Sequence, residues 1–166
     1  DLYGFCQGQI AECDQAILAQ LATFDVVSDS DKDNKPPNTI EEALQRMSGV
    51  DLTKIDGIDS NSALKIIAEI GIDMNRWKSP KHFASWLGLC PGTKVSGGKI
   101  LSGKSKQVAN RAAATLRIAA FTLFNSKSAL GAYLRRQRSR LGAPKAITAT
   151  AHKLARLVYA MLKHGN

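Results

Sequence analysis

Apolar residues form a helical stripe through the first part of the chain, recurring about every 3.5 positions. The stripe consists of Leu2, Phe5, Cys13, Ile17, Leu21 and Phe24. It predicts a helix over residues 3–24, within an arm of residues 1–26 that a polar linker, residues 27–38, follows. The residues leave two interpretations open. The arm packs on a partner as a coiled coil, or it folds back on its own domain.

Residues 39–166 are predicted to form a helical domain. Thr39 with Glu42 three positions later makes a capping box, and Ser79 followed by Pro80 begins another helix. No segment alternates apolar and polar residues as a strand would, so the sequence predicts an all-α fold with an N-terminal coiled-coil helix. The longer helices of the domain are expected over residues 105–124, 128–142 and 145–162.

Residues 51–71 carry the pattern of a helix-hairpin-helix. A short helix ends at Gly57, Ile58 follows it, and Asp59 or Ser60 caps the next helix, which runs to Gly71. Such a hairpin binds a DNA phosphate through backbone N–H groups at a helix N-terminus, and Gly57, Ile58 and Ser60 are its candidate contact residues. Asp59 lies where the motif usually has a second glycine, and its carboxylate would compete with a phosphate. A hairpin with a purely structural role is therefore the alternative.

The net charge of +9 is distributed unevenly along the chain. The first 93 residues hold all 14 Asp and Glu with 8 Lys and Arg, whereas residues 94–166 hold 15 Lys and Arg and no Asp or Glu. Solvated helices normally mix both signs to form ion pairs, so this excess predicts nucleic acid as the partner. The candidate contacts are Lys94, Lys99, Lys104, Lys106, Asn110, Arg111, Arg117, Arg135, Arg136, Arg138 and Arg140.

A loop rich in glycine and lysine, residues 91–104, contains Ser96. Lys94 and Lys99 flank this serine, and two glycines follow it directly. Lysines neutralise phosphate charge, and glycines let a backbone pass close to DNA. Serine is a weak nucleophile that needs a base, a metal or strong stabilisation of the transition state. The residues alone leave three roles open for the loop: phosphate binding, nucleophilic catalysis by Ser96, and a plain connection between helices.

Five motifs occur in an order and spacing that resemble a known family. They are Gly57-Ile58, Phe83 with the block 86–91, Ser96-Gly97-Gly98, Asn110-Arg111 and the segment 151–154. Over residues 51–162 the chain resembles the C-terminal domain of transposases of the insertion-sequence one-ten and one-sixteen family. It departs from the family at Gln107 and Val108, because members often carry an arginine in this segment. Arg111 is the candidate to supply the missing phosphate contact.

The resemblance implies a recombinase with a RuvC-like N-terminal domain, a coiled-coil arm and this C-terminal domain. It maps the family's catalytic serine onto Ser96, which would attack a DNA phosphodiester and form a phosphoserine link. It also implies a structured guide RNA and a homo-oligomer, a dimer or tetramer held through the N-terminal helix, whose active site combines residues of different subunits. The chain resembles only the arm and the C-terminal domain, so we expect it to bind DNA without cutting it alone.

The remaining expectations concern cofactors, location and a rival function. The three cysteines lack metal-site spacing, so no metal or cofactor is expected within these residues, and Mg²⁺ is expected in the N-terminal domain. No apolar run has membrane-spanning length and no secretion leader is recognised, so we expect the cytoplasm of a prokaryotic cell and no membrane partner. The alternative function is a non-enzymatic helix-hairpin-helix module that only binds DNA or structured RNA.

Overall fold

Helices make up most of the computed structural model, which describes residues 1–24, 37–106 and 108–165, and the predicted all-α class is confirmed. Its α-helices are α1 (Leu2–Leu21), α2 (Ile40–Ser48), α3 (Ser60–Ile70), α4 (Pro80–Trp86), α5 (Arg111–Thr122), α6 (Ala129–Leu141) and α7 (Ala143–His164). Two short strands, β1 (Lys94–Ser96) and β2 (Lys99–Ser102), depart from the prediction. Residues 27–36 of the predicted linker lie outside the described residues. No helix of the described ranges is long and apolar enough to cross a membrane.

Side-chain caps begin several helices at the residues that the sequence predicts. Thr39 Oγ1 accepts a hydrogen bond from the Glu42 nitrogen at 3.2 Å, and Glu42 Oε2 in turn accepts one from the Asn38 nitrogen at 2.8 Å. Ser79 caps α4, whose first residue is Pro80. These contacts satisfy N–H groups that have no partner within a helix, which is why the local sequence locates the helix starts.

The chain divides into two compact units, Asp1–Asp51 and Leu52–Asn166. In the first unit α1 contacts α2, and none of the side chains of α1 is buried. The sequence groups α2 with the C-terminal domain, whereas the compact units group it with α1. The large apolar side chains that α1 leaves exposed are Leu2, Tyr3, Phe5 and Ile10.

The core of the second unit is built around α7, which packs against α4, α5 and α6. Leu154 and Val158 of α7 are fully enclosed, and burial of such a side chain contributes roughly 1.5–3 kcal/mol. The helix α5 contacts α3 and α7 through a buried face that is mostly alanine, so these helices approach closely. Tyr159 of α7 also donates its hydroxyl hydrogen to the main-chain oxygen of Trp77, 2.9 Å away, which ties the last helix to the segment before α4.

Gly57 allows the turn before α3 to touch α5. Its φ is +88°, and a Cβ at this position would lie 2.8 Å from the main-chain oxygen of Ala119. Glycine is therefore required for packing as well as for backbone conformation. The element before it is a single 3₁₀ turn, Leu52–Lys54, which is shorter than the helix that the sequence predicts at this place.

Candidate functional site

The glycine-rich segment that the sequence predicts as a loop is a β-hairpin. β1 and β2 pair antiparallel in a register that places Ser96 opposite Lys99. Gly97 and Gly98 form the two-residue turn between them, with φ of 55° and 76°. Tight hairpin turns of the type that matches strand twist need positive φ at both central residues, and glycine adopts it without strain. The segment therefore holds Ser96 beside a defined turn.

Backbone pairing extends the hairpin beyond its two strands. Pro91 and Ser105 form an antiparallel bridge, and the Gly92 nitrogen donates a hydrogen bond to the Lys104 oxygen at 2.9 Å. A Cβ on Gly92 would lie 2.9 Å from that oxygen, so the two sides meet closely at the base. Between these ends β2 has one residue more than β1, which makes a bulge. We call residues 91–105 the serine hairpin.

Ser96 is exposed at the tip of the serine hairpin. Directly opposed residues of an antiparallel pair point to the same face, so the Ser96 hydroxyl and the exposed Lys99 ammonium share a face. No described side chain forms a hydrogen bond with the Ser96 hydroxyl, whereas Ser102 Oγ accepts one from the Lys104 nitrogen at 3.3 Å. The Ser96 hydroxyl is thus accessible from solvent and is not hydrogen-bonded to any described side chain.

The chain around the serine hairpin offers positive charge and no acidic group. The last acidic residue in the sequence is Asp73, and residues 74–166 contain none. Within residues 1–24, 37–106 and 108–165, no group of three or more His, Cys, Asp or Glu is placed to hold a metal ion. Mg²⁺ is bound mainly by carboxylate and phosphate oxygens, and residues 74–166 offer it no carboxylate.

The predicted basic contact residues lie on β1, β2, α5 and α6 of the second unit and on the segment between β2 and α5. On α6 they form two pairs at helical spacing on different sides, Arg135 with Arg138 and Arg136 with Arg140, and all four are exposed. The four arginines that the sequence predicts as contacts on α6 therefore lie in two separate pairs. The others are Lys94 on β1, Lys99 on β2, Lys104 and Lys106 after it, and Arg111 and Arg117 on α5.

Arg135 and Arg138 are engaged with the segment that follows α5. Arg135 Nη1 donates hydrogen bonds to the main-chain oxygens of Phe124, at 3.2 Å, and Ser126, at 2.6 Å. The Arg138 guanidinium carbon lies 5.2 Å from the centre of the Phe124 ring, within the range of a cation–π contact. The other pair, Arg136 and Arg140, is exposed, and neither side chain has such a contact among the described residues.

Asn110 is the buried N-cap of α5. Its Oδ1 accepts a hydrogen bond from the Ala113 nitrogen at 3.0 Å, and its side chain is 8% exposed. The sequence predicts this residue on the outer side of a helix that begins near residue 105. That boundary is wrong, because the extended backbone of Asn110, with φ −125° and ψ 120°, starts the helix at Arg111. The side chain is committed to the helix and turned away from solvent.

Asp59 is the cap of α3. Its Oδ1 accepts a hydrogen bond from the Ser62 nitrogen at 2.8 Å, and hydrogen bonding to Ser62 holds the pKa of the Asp59 carboxyl below its ordinary value. A carboxylate thus occupies the helix N-terminus at which a helix-hairpin-helix binds a phosphate. Ile58 is buried and Ser60 is half-buried, so phosphate binding by Gly57, Ile58 and Ser60 stays a prediction.

Sequence reasoning missed an exposed apolar surface on α5. Ile118 is 65% exposed and Phe121 is 60% exposed. Apart from Arg111 and Arg117, which the sequence predicts as contacts with nucleic acid, α5 is mainly apolar, so its sequence favours burial of the larger apolar side chains. The spacing of the alanines along α5 is the sequence signal that identifies its outer face. The alanines lie on the buried face, and the larger side chains Ile118 and Phe121 lie on the opposite face. The buried alanines are Ala112, Ala113, Ala119 and Ala120.

Comparison with known proteins agrees with the motifs of the second unit. The family model described as "Transposase IS116/IS110/IS902 family" matches residues 51–135, about half of the chain, including the serine hairpin and all of α5. No curated protein matches the chain. The family match establishes a transposase-related function and implies DNA as a partner. The chain belongs to the transposase IS116/IS110/IS902 family.

Proposed function

We propose that the second unit binds DNA and supplies Ser96 as the nucleophile of strand cleavage and exchange. The observation that carries the proposal is the position of Ser96. It lies exposed at the tip of a paired hairpin, opposite Lys99, in the half of the chain without carboxylates. A nucleophile for a polyanionic substrate must be accessible and must meet no repulsive charge, and Ser96 satisfies both conditions.

The reaction forms one bond and breaks one. Ser96 Oγ attacks the phosphorus of a DNA phosphodiester while its proton passes to a base, and the bond from phosphorus to one sugar oxygen breaks. That oxygen leaves with a proton as a free hydroxyl, and the other side of the DNA stays joined to the serine as a phosphoserine diester. The reverse attack by a hydroxyl of a second strand restores a phosphodiester, so strands are exchanged without an energy source. Lys99 contributes by stabilising the charge that develops on the phosphoryl oxygens.

The proposal requires a second part of the catalytic machinery. The base, and the acidic quartet that would hold Mg²⁺, belong in this proposal to a RuvC-like domain that joins the arm. No step through the metal is assigned to the residues described, because the part of the chain that carries Ser96, residues 74–166, offers it no carboxylate. We further propose that a structured guide RNA selects the DNA site. Residues 94–166, with their 15 Lys and Arg, offer enough positive charge for both nucleic acids.

The arm is proposed to join copies of the chain. Residues of α1 that are apolar and exposed include Leu2, Phe5 and Ile10. Exposed apolar side chains that recur along one helix are typical of a coiled-coil seam, and a second copy would cover them. An oligomer of this kind would bring the acidic quartet of one subunit to Ser96 of another.

A covalent-adduct assay tests the nucleophile. The chain joined to its RuvC-like domain is incubated with Mg²⁺, guide RNA and end-labelled DNA and then run on a denaturing gel. We expect a protein–DNA band that Ser96→Ala abolishes and that Ser102→Ala, a matched change on the same hairpin, retains. DNA affinity of Ser96→Ala should stay within about twofold, because one exposed hydroxyl adds little to phosphate binding.

Two results would contradict the proposal. If the band survives Ser96→Ala, another residue forms the link. If no band forms although DNA binds tightly, the second unit is a binding module without a nucleophile, which is the rival function that the sequence leaves open.

A further inference from the structure

The outer face of α5 and the turn after it carry a surface that the nucleophile proposal does not use. It consists of Arg117, Ile118, Phe121, Phe124 and Arg138, and we call it the aromatic–basic surface. Ile118 and Phe121 are 65% and 60% exposed, which is unusual for such large side chains on a helix whose opposite face forms the core.

Two ring contacts hold the surface together. The rings of Phe121 and Phe124 meet edge to face with their centres 5.3 Å apart. The guanidinium carbon of Arg138 lies 5.2 Å from the centre of the Phe124 ring. Phe124 thus lies between the Phe121 ring and the Arg138 guanidinium, and the Phe121 ring is the more exposed of the two rings. Arg117 lies one helical turn before Phe121 on α5, so a second cation borders the exposed ring.

The position of Phe124 is fixed by the backbone. Arg135 donates two hydrogen bonds to the main-chain oxygens of Phe124 and Ser126. Gly131 of α6 lies so close to this segment that a Cβ would be 2.9 Å from the Leu123 oxygen. The turn after α5 is therefore clamped against α6. A ring platform on a clamped turn loses little conformational freedom when a flat ligand stacks on it.

Charge decides which class of partner fits this surface. The charged side chains of the surface itself are both cationic: Arg117 lies one turn before Phe121, and Arg138 lies over the Phe124 ring. A protein partner would need an acidic rim around an apolar contact, whereas a nucleotide strand offers phosphates and flat bases at a regular repeat. In a duplex both faces of each base are covered by neighbouring bases. Only an unpaired base has a face free to stack on an aromatic side chain.

We propose that the aromatic–basic surface binds unpaired nucleotides, with one base stacked on Phe121 and the adjoining phosphates held by Arg117 and Arg138. The inference rests on the proposed function only in that the second unit binds nucleic acid, and it is independent of Ser96. The surface would hold a strand that has been separated from its complement, while duplex DNA is bound by other cations of the unit.

The test compares single strands with a duplex. The full 166-residue chain is titrated against fluorescein-labelled 12-nucleotide thymidine DNA, 12-nucleotide uridine RNA and a 12-base-pair DNA duplex, with anisotropy giving each Kd. Phe121→Ala is expected to weaken single-strand binding by about 5- to 150-fold, since stacking of one base contributes that much, and to leave the duplex Kd within about twofold. Phe121→Tyr keeps the ring and should restore the single-strand Kd. The two single strands show whether DNA or RNA is preferred.

The control is Ile72→Ala, which removes an exposed apolar side chain between α3 and α4 and leaves the arm intact. It should leave the Kd of both single strands unchanged. The inference is overturned if Phe121→Ala weakens the duplex as much as the single strands, or changes neither. It is also overturned if Phe121→Ala lowers the sedimentation mass of the free chain, because the surface is then a contact between protein copies. None of these results contradicts the proposed function, as long as the wild-type chain binds the duplex. Failure of the wild-type chain to bind any of the three probes would contradict both.

Discussion

Asn110 Oδ1 accepts a hydrogen bond from the Ala113 nitrogen at 3.0 Å inside the second unit. This contact makes Asn110 a structural residue of α5, although its place among arginines and lysines in the sequence suggests a contact with nucleic acid. The distinction can be measured, because stability and affinity respond to different side chains.

Replacement of Asn110 by alanine should destabilise the protein and leave binding unchanged. Loss of an N-cap lowers the free energy of unfolding by about 1 kcal/mol, within a range of roughly 0.5–2 kcal/mol, and Asn110→Ser should recover most of it. Urea denaturation measures the first effect, and duplex affinity by anisotropy measures the second. A large loss of affinity in a variant that remains folded would show that the amide contacts nucleic acid after all.

Substitutions at the turn of the serine hairpin should open it. Gly97 has φ of +55°, and a residue with a Cβ in that conformation costs roughly 1–2 kcal/mol. Gly97→Ala should therefore speed amide hydrogen exchange of the hairpin by about 5- to 30-fold, as measured by mass spectrometry of peptides that span residues 91–105. Gly103→Ala is the control, since Gly103 has neither a positive φ nor a neighbour within 4 Å. Equal exchange in the two variants would mean that the turn does not stabilise the strands.

The two pairs of arginines on α6 should behave differently. Arg136 and Arg140 are exposed, and if each neutralises one phosphate, the double alanine variant lowers the slope of log K against log salt by about 1.8. Arg135→Ala should instead lower the free energy of unfolding, because the Arg135 side chain donates hydrogen bonds to the main-chain oxygens of Phe124 and Ser126. Duplex titrations from 50 to 300 mM salt distinguish the two. The charge-matched control is the double alanine variant of Lys78 and Lys81, two exposed lysines near the start of α4. A double variant with an unchanged slope would exclude that pair from the phosphate contacts.

Removal of residues 1–24 should convert an oligomer into a monomer. These residues contain α1, whose side chains are all unburied in the described chain. Sedimentation equilibrium should give the intact chain a mass that is a multiple of its monomer mass, and the shortened chain a mass equal to its own monomer mass. Glu12→Gln, which keeps the helix and its apolar residues, should leave the mass unchanged. If intact and shortened chains are both monomeric, the arm does not join copies of this chain.

Local capping rules explain why most of the fold was predictable. Thr39 and Ser79 each begin a helix where the sequence predicts it, and Ser128 caps α6 in the same way. Each of these serines or threonines satisfies an N–H group within three residues of itself. Short-range chemistry of this kind can be found without knowledge of the tertiary structure.

The features that the sequence did not predict depend on contacts between distant residues. The strands of the serine hairpin are only three and four residues long and hold one and two apolar residues among lysines and serines, so they carry no periodic signal. The role of Arg135 depends on two oxygens that lie 11 and 9 residues before it along the chain. The exposure of Phe121 follows from which face of α5 meets α3 and α7, and the composition of the helix does not determine that face.

The paired ribbon that carries Ser96 has a consequence for how this protein is assayed. Two strands without a third or a covering helix are marginally stable in water, and their opening is a local event with its own free energy. A variant can therefore lose the geometry around Ser96, the proposed nucleophile, and still show an unchanged melting temperature, so thermal stability is a poor guide to whether the tip of the serine hairpin is intact.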